Sequence, residues 1–293
     1  MLEFVREIKE ENTISKKTLS EAELKALIRS SCFVKEKTMP EGIVDKVKAR
    51  VVTGGNQQDK SIYTLDETSS PTVSTAAVFI TVAIAANEGR HVITMDVETA
   101  YLNAKMIDDK LVYMKIGPLI ILFQLDTNFE KYQDGKGAVI VKLDKALYGC
   151  VESAVLWYKD LKATLEADEY RVNPYDLRVF NKVYKGEQIT VIFHVDDLLG
   201  ACVLFEALED LYEVLIKKYK KVKVTGGMIH PYLGMIMNFQ SPGVANPGYI
   251  SDLVKVYGES TPMSTPADEK LFNITESPQR RKDFTLLWLN NCT

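Results

Sequence analysis

The sequence predicts an α+β fold, with helices laid on one face of a mainly antiparallel sheet. Three observations lead there. Strand-forming runs separated by short turn signals follow one another in "LRVFNKVYKGEQITVIFHVDDLLGACV", residues 177–203. Two other stretches, "ESAVLWYKDLKATLEADE" and "FEALEDLYEVLIKKYKKV", carry apolar residues at helical spacing instead. The 293 residues are 46% apolar and 26% charged, a globular composition with enough apolar content for a substantial core.

The elements follow in order. "TLSEAELKALIRSS", 18–31, reads as a helix capped by Ser20, with Glu21 and Glu23 in its first turn. In "CFVKEKTMPEGIVDKVKARVVTGG" two extended arms flank a Pro-Glu-Gly turn, so a hairpin is expected, and alternation puts Lys46, Lys48 and Arg50 on one face. Residues 73–87 are apolar and Ala-rich, as a buried helix requires. A short apolar strand then ends at Asp96, and "KLVYMKI" is a further strand. "VIVKLDKALYGC" reads as strand then turn. In the helix that follows, Ala154, Leu156, Trp157, Leu161 and Leu165 form the expected apolar face. Lys185-Gly186 and the Asp196-Asp197 pair mark two hairpin turns, and "YLGMIMNF" is a late strand. After Ser241 come Pro242, Pro247, Pro262 and Pro266, so the last residues read as loop-rich.

Totals narrow the function. The net charge is −4, whereas compact nucleic-acid binders are more often basic, so such binding here rests on local patches. Cys32, Cys150, Cys202 and Cys292 form no C-x-x-C pair and lie far from the histidines, which excludes zinc-finger spacing and fits a reducing compartment. No apolar run reaches the length of a spanning helix, and the start "MLEFVREIKEENTISKK" has no signal-peptide core. The expectation is an intracellular protein of cytoplasm or nucleus, with no membrane partner.

The carboxylates carry the chemistry. Asp196 and Asp197 sit between two apolar strands, where an ionised carboxylate costs several kcal/mol unless a turn exposes it or a cation meets it. An Asp-Asp pair in a turn is ordinarily just a solvated turn. Asp96 ends another strand, and if the two strands are neighbours the acids converge. Convergent carboxylates favour hard cations such as Mg²⁺, which takes one or two of them plus substrate phosphate oxygens.

The motifs "MDVETAYLNAKM", "KLDKALYGCVESAVLWY" and "FHVDDLL" occur in that order, with "VKARVVTGG" and "YTLDETSSPTV" upstream and "YLGMIM" downstream. Together they resemble the reverse transcriptase domain of copia-type retrotransposon polyproteins, over about residues 25–270. The resemblance implies a right-hand polymerase: an antiparallel palm backed by helices, a fingers subdomain and an incomplete thumb. It implies a linker remnant over 1–24, fingers over 25–90, palm with part of the fingers over 91–240, and a truncated, loop-rich thumb or connection segment over 241–293. The implied activity is RNA-directed DNA polymerisation with Mg²⁺ or Mn²⁺, dNTPs and a primer on an RNA or DNA template. No integrase or RNase H signature is visible in this chain.

By the same resemblance Asp96 and Asp196 are the principal metal ligands, Asp197 has a supporting part, and Val97 offers its carbonyl to a second ion. Tyr101 would sit under the sugar and exclude a 2′-hydroxyl, or else is a core aromatic. Arg50 and Lys48, with Lys35 from the facing arm, match the basic fingers segment that meets the triphosphate. Tyr148 and Gly149 form the turn against template and base, where Gly lets the backbone approach a ligand closely. Trp157 belongs to the core. Lysines 217, 218, 220, 221 and 223 touch the nucleic-acid backbone or simply form a solvated helix end.

The chain also departs from the family pattern. His194 stands where Tyr is usual, "GCVESAVLW" replaces a "GLKQAPRAW"-like form, and "VKVTGGMIHPYLG" lacks the common acidic-Leu-Gly run. The alternatives to an active polymerase are a catalytically inactive, truncated retroelement remnant that at most binds nucleic acid, and a different metal-dependent phosphotransfer enzyme.

Overall fold

The structure, a computed structural model, describes residues 12–38, 44–107, 109–117, 131–240 and 243–245. The first expected helix forms but is short. Strand β1 (Thr13–Ile14) precedes helix α1 (Glu21–Lys25), which Ser20 caps. The Ser20 hydroxyl accepts from the Glu23 amide, and the Glu23 carboxylate accepts from the Ser20 amide at 2.8 Å. The sequence pattern carried this helix to Ser31. Instead β2 (Ile28–Thr38) begins at Ile28, which is wholly buried and lies opposite Met114 on a parallel neighbour. Ser30, Ser31, Cys32 and Phe33 are poor helix formers, so the tertiary pairing wins easily.

The hairpin of β2 with β3 (Val44–Thr53) is as expected, although its turn lies outside the described residues. Helix α2 (Leu65–Thr68) and helix α3 (Thr75–Glu88) follow. The sequence reading made α3 a buried helix. Only Val78, Thr81, Val82 and Ala85 are buried, while Phe79, Ile80 and Ile84 are exposed. A helix laid on one surface buries one stripe, however apolar its remaining sides.

Strands β4 (His91–Val97), β5 (Tyr113–Ile116) and β6 (Val139–Lys142) come next. Helix α4 (Ser153–Ala167) buries Val155, Trp157, Leu161 and Leu165; Ala154 and Leu156, assigned to the same face from sequence, are only half-buried. Then come β7 (Arg171–Asn173), β8 (Asp176–Tyr184), β9 (Glu187–His194), β10 (Asp197–Cys202) and helix α5 (Phe205–Tyr219). The β8–β9 turn has positive φ at both Lys185 and Gly186, the hairpin geometry that matches strand twist. Four short strands end the description: β11 (Val222–Thr225), β12 (Ile229–Tyr232), β13 (Met235–Asn238) and β14 (Gly243–Ala245). Apart from β14, the expected loop-rich end lies outside the described residues.

The strands form three sheets, ordered β1-β6-β5-β2-β3, β11-β4-β10-β9-β8-β7 and β12-β13-β14. The chain divides into two compact units, each assembled from several stretches. The first comprises 1–73, 97–180 and 212–222, and its core joins Ile28, Val51, Leu102, Met114, Ile116, Val139, Val141 and Leu147. Trp157 is fully buried there, its ring 5.0 Å from that of Tyr219, as its place on the helix predicted. The second comprises 74–96, 181–211 and 223–293 and contains β9, β10 and nearly all of β4. Gly200 on β10 leaves room for Leu208 and Leu211 of α5, which a side chain there would crowd at 3.2 Å. The observed fold is thus α+β, built on mainly antiparallel sheets backed by helices.

Candidate functional site

The second unit gathers the acids. Antiparallel pairing of β4 with β10 sets Asp96 directly opposite Asp197, and pairing of β10 with β9 sets Asp197 opposite His194. Cross-strand partners share a face, so Asp96, Asp197 and His194 form one row across three strands. Asp196 precedes Asp197 in a two-residue turn with Val195. The two strands expected to be neighbours are paired, with Asp197 rather than Asp196 directly opposite Asp96. The register follows from the apolar alternation. Met95, Leu198 and Phe193 are buried on the opposite face, and a one-residue slip would bring the acids to that face.

Like charges opposite one another destabilise a strand pair. All four polar residues of this cluster are half-buried rather than exposed. Burial, then the charges of Asp196 and Asp96, raise the Asp197 carboxyl above its ordinary value, and His194 pulls it partly back. Val195 adopts φ +56, which a β-branched residue rarely does. Val97 ends β4 fully buried.

Among the described residues, no group of three or more His, Cys, Asp or Glu side chains closes into a metal cage. Mg²⁺ does not need one, because substrate phosphates complete its shell. The donor set fits such an ion. Its donors are oxygens, and the like charges that, after burial, raise Asp197 are what a divalent cation relieves.

The first unit gathers the other candidates. The exposed Arg50 guanidinium stands 5.6 Å from the centre of the Tyr148 ring. Tyr148 in turn lies 4.4 Å from the Tyr101 ring, in tilted contact. Tyr101 packs against the core yet remains half-buried, with its ring against that of Tyr148. Backbone register puts Lys48 opposite Lys35 and Arg50 opposite Phe33; the side chains of Lys35, Lys46 and Lys48 lie outside the described residues. Lys218 pairs with Asp160 at 3.2 Å, and Lys220 donates to the Lys217 carbonyl at 2.6 Å, so part of the lysine run serves the end of α5.

Gly149 forms the expected turn with Tyr148, at φ +99. It also lies close against another backbone: a Cβ there would stand 2.3 Å from the Thr53 carbonyl oxygen. Gly55 faces it, with a hypothetical Cβ 1.8 Å from the Gly149 carbonyl oxygen. Two glycines let segments 53–55 and 148–149 lie backbone against backbone, and the Thr53 amide donates to the Tyr148 carbonyl at 2.8 Å. Cys150 beside them is no nucleophile, since burial pushes its thiol up to about 11.

Sequence reasoning missed four residues. The Tyr232 hydroxyl approaches the Asp197 carbonyl at 3.5 Å, and Gln58, Tyr63 and Glu152 form a buried polar group behind the Tyr148 turn. Only Glu152 left a trace in the sequence, as a carboxylate opening an otherwise amphipathic helix within "GCVESAVLW".

This chain belongs to the reverse transcriptase (RNA-dependent DNA polymerase) family, whose sequence profile matches residues 22–266. It is 28% identical over 155 residues to the retrovirus-related Pol polyprotein from transposon TNT 1-94 of Nicotiana tabacum, covering 53% of this chain and 11% of that one. It is 26% identical over 152 residues to the transposon Ty1-BL Gag-Pol polyprotein of Saccharomyces cerevisiae, covering 52% of this chain and 8% of that one. These matches bear out the copia-type resemblance, and the chain spans about a tenth of the length of these relatives. Among solved structures it is similar to a foamy viral protease-reverse transcriptase in complex with double-stranded DNA. The TM-score is 0.41 at 12% identity, over 89% of this chain and 44% of that one. It is also similar to telomerase from Candida albicans, with a TM-score of 0.39 at 10% identity over 82% and 50% of the two chains. No described helix is long and apolar enough to cross a membrane.

Proposed function

We propose that this chain is the polymerase domain of a copia-type retroelement and extends a primer on an RNA or DNA template. The pairing of Asp96 with Asp197, beside Asp196, carries the reading. The primer 3′-hydroxyl attacks the α-phosphate of a bound dNTP, a new P–O bond forms as the α–β P–O bond breaks, pyrophosphate leaves and the hydroxyl proton passes to solvent. Asp96, Asp196 and Asp197, with the Val97 carbonyl, would hold Mg²⁺ or Mn²⁺. Such ions neutralise the phosphates and orient the attacking and leaving oxygens. The chain's own residues supply position. Arg50 and Lys48 bind the triphosphate, Tyr148 and Gly149 face template and base, and Tyr101 screens the sugar. In this reading residues 25–90 act as fingers and 91–240 as palm with part of the fingers.

The test is primer extension by the purified chain with dNTPs and Mg²⁺ or Mn²⁺. Wild type extends; Asp196→Asn, with folding intact, does not. Equal extension by both defeats the proposal. Salt-sensitive duplex binding without extension would instead assign a binding remnant, and hydrolysis without a lengthened primer a different phosphotransferase.

A further inference from the structure

Behind the Tyr148 turn lies a polar cluster that takes no direct part in the proposed chemistry. Glu152 is 1% exposed, so its carboxylate has to be satisfied internally. One oxygen accepts from Gln58 Nε2 at 3.0 Å and the other from the Tyr63 hydroxyl at 2.9 Å. The Gln58 amide oxygen accepts from the Val151 backbone amide at 2.7 Å. One residue further, the Ser153 hydroxyl accepts from the Leu147 amide at 3.1 Å and donates to the Leu147 carbonyl at 2.7 Å. Lys110 lies over the Tyr63 ring at 4.8 Å and pairs with Glu67 at 2.6 Å, which steadies Tyr63 from its other side.

The turn from Leu147 to Glu152 is therefore tied at both ends and in the middle. What it presents outward is the Tyr148 ring, in contact with Tyr101 and Arg50. We infer that Glu152 is a positioning residue: through Gln58 and Tyr63 it holds the Tyr148 turn in the conformation that receives the incoming nucleotide. This rests on the proposed nucleotide-binding role of Tyr148 and Arg50. A buried network of this kind is worth most when every member is satisfied, so removing its central acceptor releases two donors at once. An amide at 152 keeps one acceptor for Gln58 and donates to the Tyr63 hydroxyl, which already accepts from Gln58 Nε2 at 3.2 Å, so the three side chains stay linked.

The experiment compares Glu152→Ala, Glu152→Gln and the milder Tyr63→Phe with wild type. Hydrogen exchange of the unliganded protein reads the clamp directly. In Glu152→Ala the Tyr148–Val151 segment exchanges at least tenfold faster, whereas the interior of α4 keeps its wild-type rate; Glu152→Gln stays within twofold. In primer extension, KM for dNTP rises about tenfold in Glu152→Ala and about threefold in Tyr63→Phe. The corresponding kcat stays within twofold, and Glu152→Gln restores KM. Uniformly faster exchange, an unchanged KM in Glu152→Ala, or a Gln variant as impaired as the Ala variant overturns the inference. If Glu152→Ala does not fold, Tyr63→Phe decides by the same readouts. If wild type extends no primer, the polymerase reading fails by itself, and the exchange comparison alone decides whether the clamp exists.

Discussion

The two turns that carry the candidate site residues are built in opposite ways. Between β9 and β10, Asp197 faces Asp96 across the strand pair with Asp196 beside it in the turn, Asp197 is pushed toward its neutral form, and Val195 sits in a disfavoured conformation. Between Leu147 and Glu152, the buried carboxylate has a donor on each oxygen, and glycine occupies the one position of positive φ. In one turn like charges crowd a half-buried aspartate; in the other each oxygen of the buried carboxylate has a donor. Under the proposed function, the first takes up a charged partner and the second holds a shape.

The strongest way to break this contrast is Asp196→Asn. It should lower primer extension about a thousandfold, the scale expected when a preorganised charge is lost. Its melting midpoint should hold or rise, because one of the two like charges acting on Asp197 disappears. A midpoint that falls with the activity would mean that the acidic turn is a structural element. Next in size is Gly149→Ala, which meets both a positive φ and the Thr53 carbonyl; it should lower unfolding free energy by about 2–4 kcal/mol in urea denaturation. A near-neutral result would show that the clamped turn is looser than described.

Acid should act on the neighbourhood of the aspartates through His230. His230 on β12 is fully buried, its Nε2–H donates to the Gly227 carbonyl at 2.9 Å, and burial lowers its pKa below the ordinary value. Below pH about 6.5 the unfolded chain takes up a proton there that the folded chain refuses. Stability should therefore be fully present above that pH and fall toward pH 5, by at most about 1.4 kcal/mol per pH unit. His230→Phe should flatten the slope. At pH 5 amide protection, corrected for the intrinsic exchange rate, should fall in β12, whose Tyr232 approaches Asp197. The smallest effect expected is from Val195→Asn. Asn tolerates the left-handed conformation, so denaturation should show a gain of about 0.5–1 kcal/mol.

Much of the architecture was readable from local pattern. The β8–β9–β10 meander, its Lys185-Gly186 turn, the Ser20 cap and the burial of Trp157 follow from residue type and period alone. The site was legible as a set of names, because the ordered motifs around Asp96, Tyr148 and Asp196 marked the family. Local pattern failed where a distant partner decided. Residues 28–31 became strand because Ile28 pairs with Met114, and α3 buried only one stripe because only one side meets the protein.

By itself, then, the chain's order of residues settled the β8–β9–β10 meander, the two long amphipathic helices and the family, since propensity and periodicity act over a few neighbours. Only the tertiary structure decided that Asp96 stands opposite Asp197, that Gly149 lies against Thr53, and that Glu152 is enclosed by Gln58 and Tyr63. Those contacts join residues some ninety to a hundred positions apart, and the chain meets itself there only after strand pairing and core burial have closed the loops between.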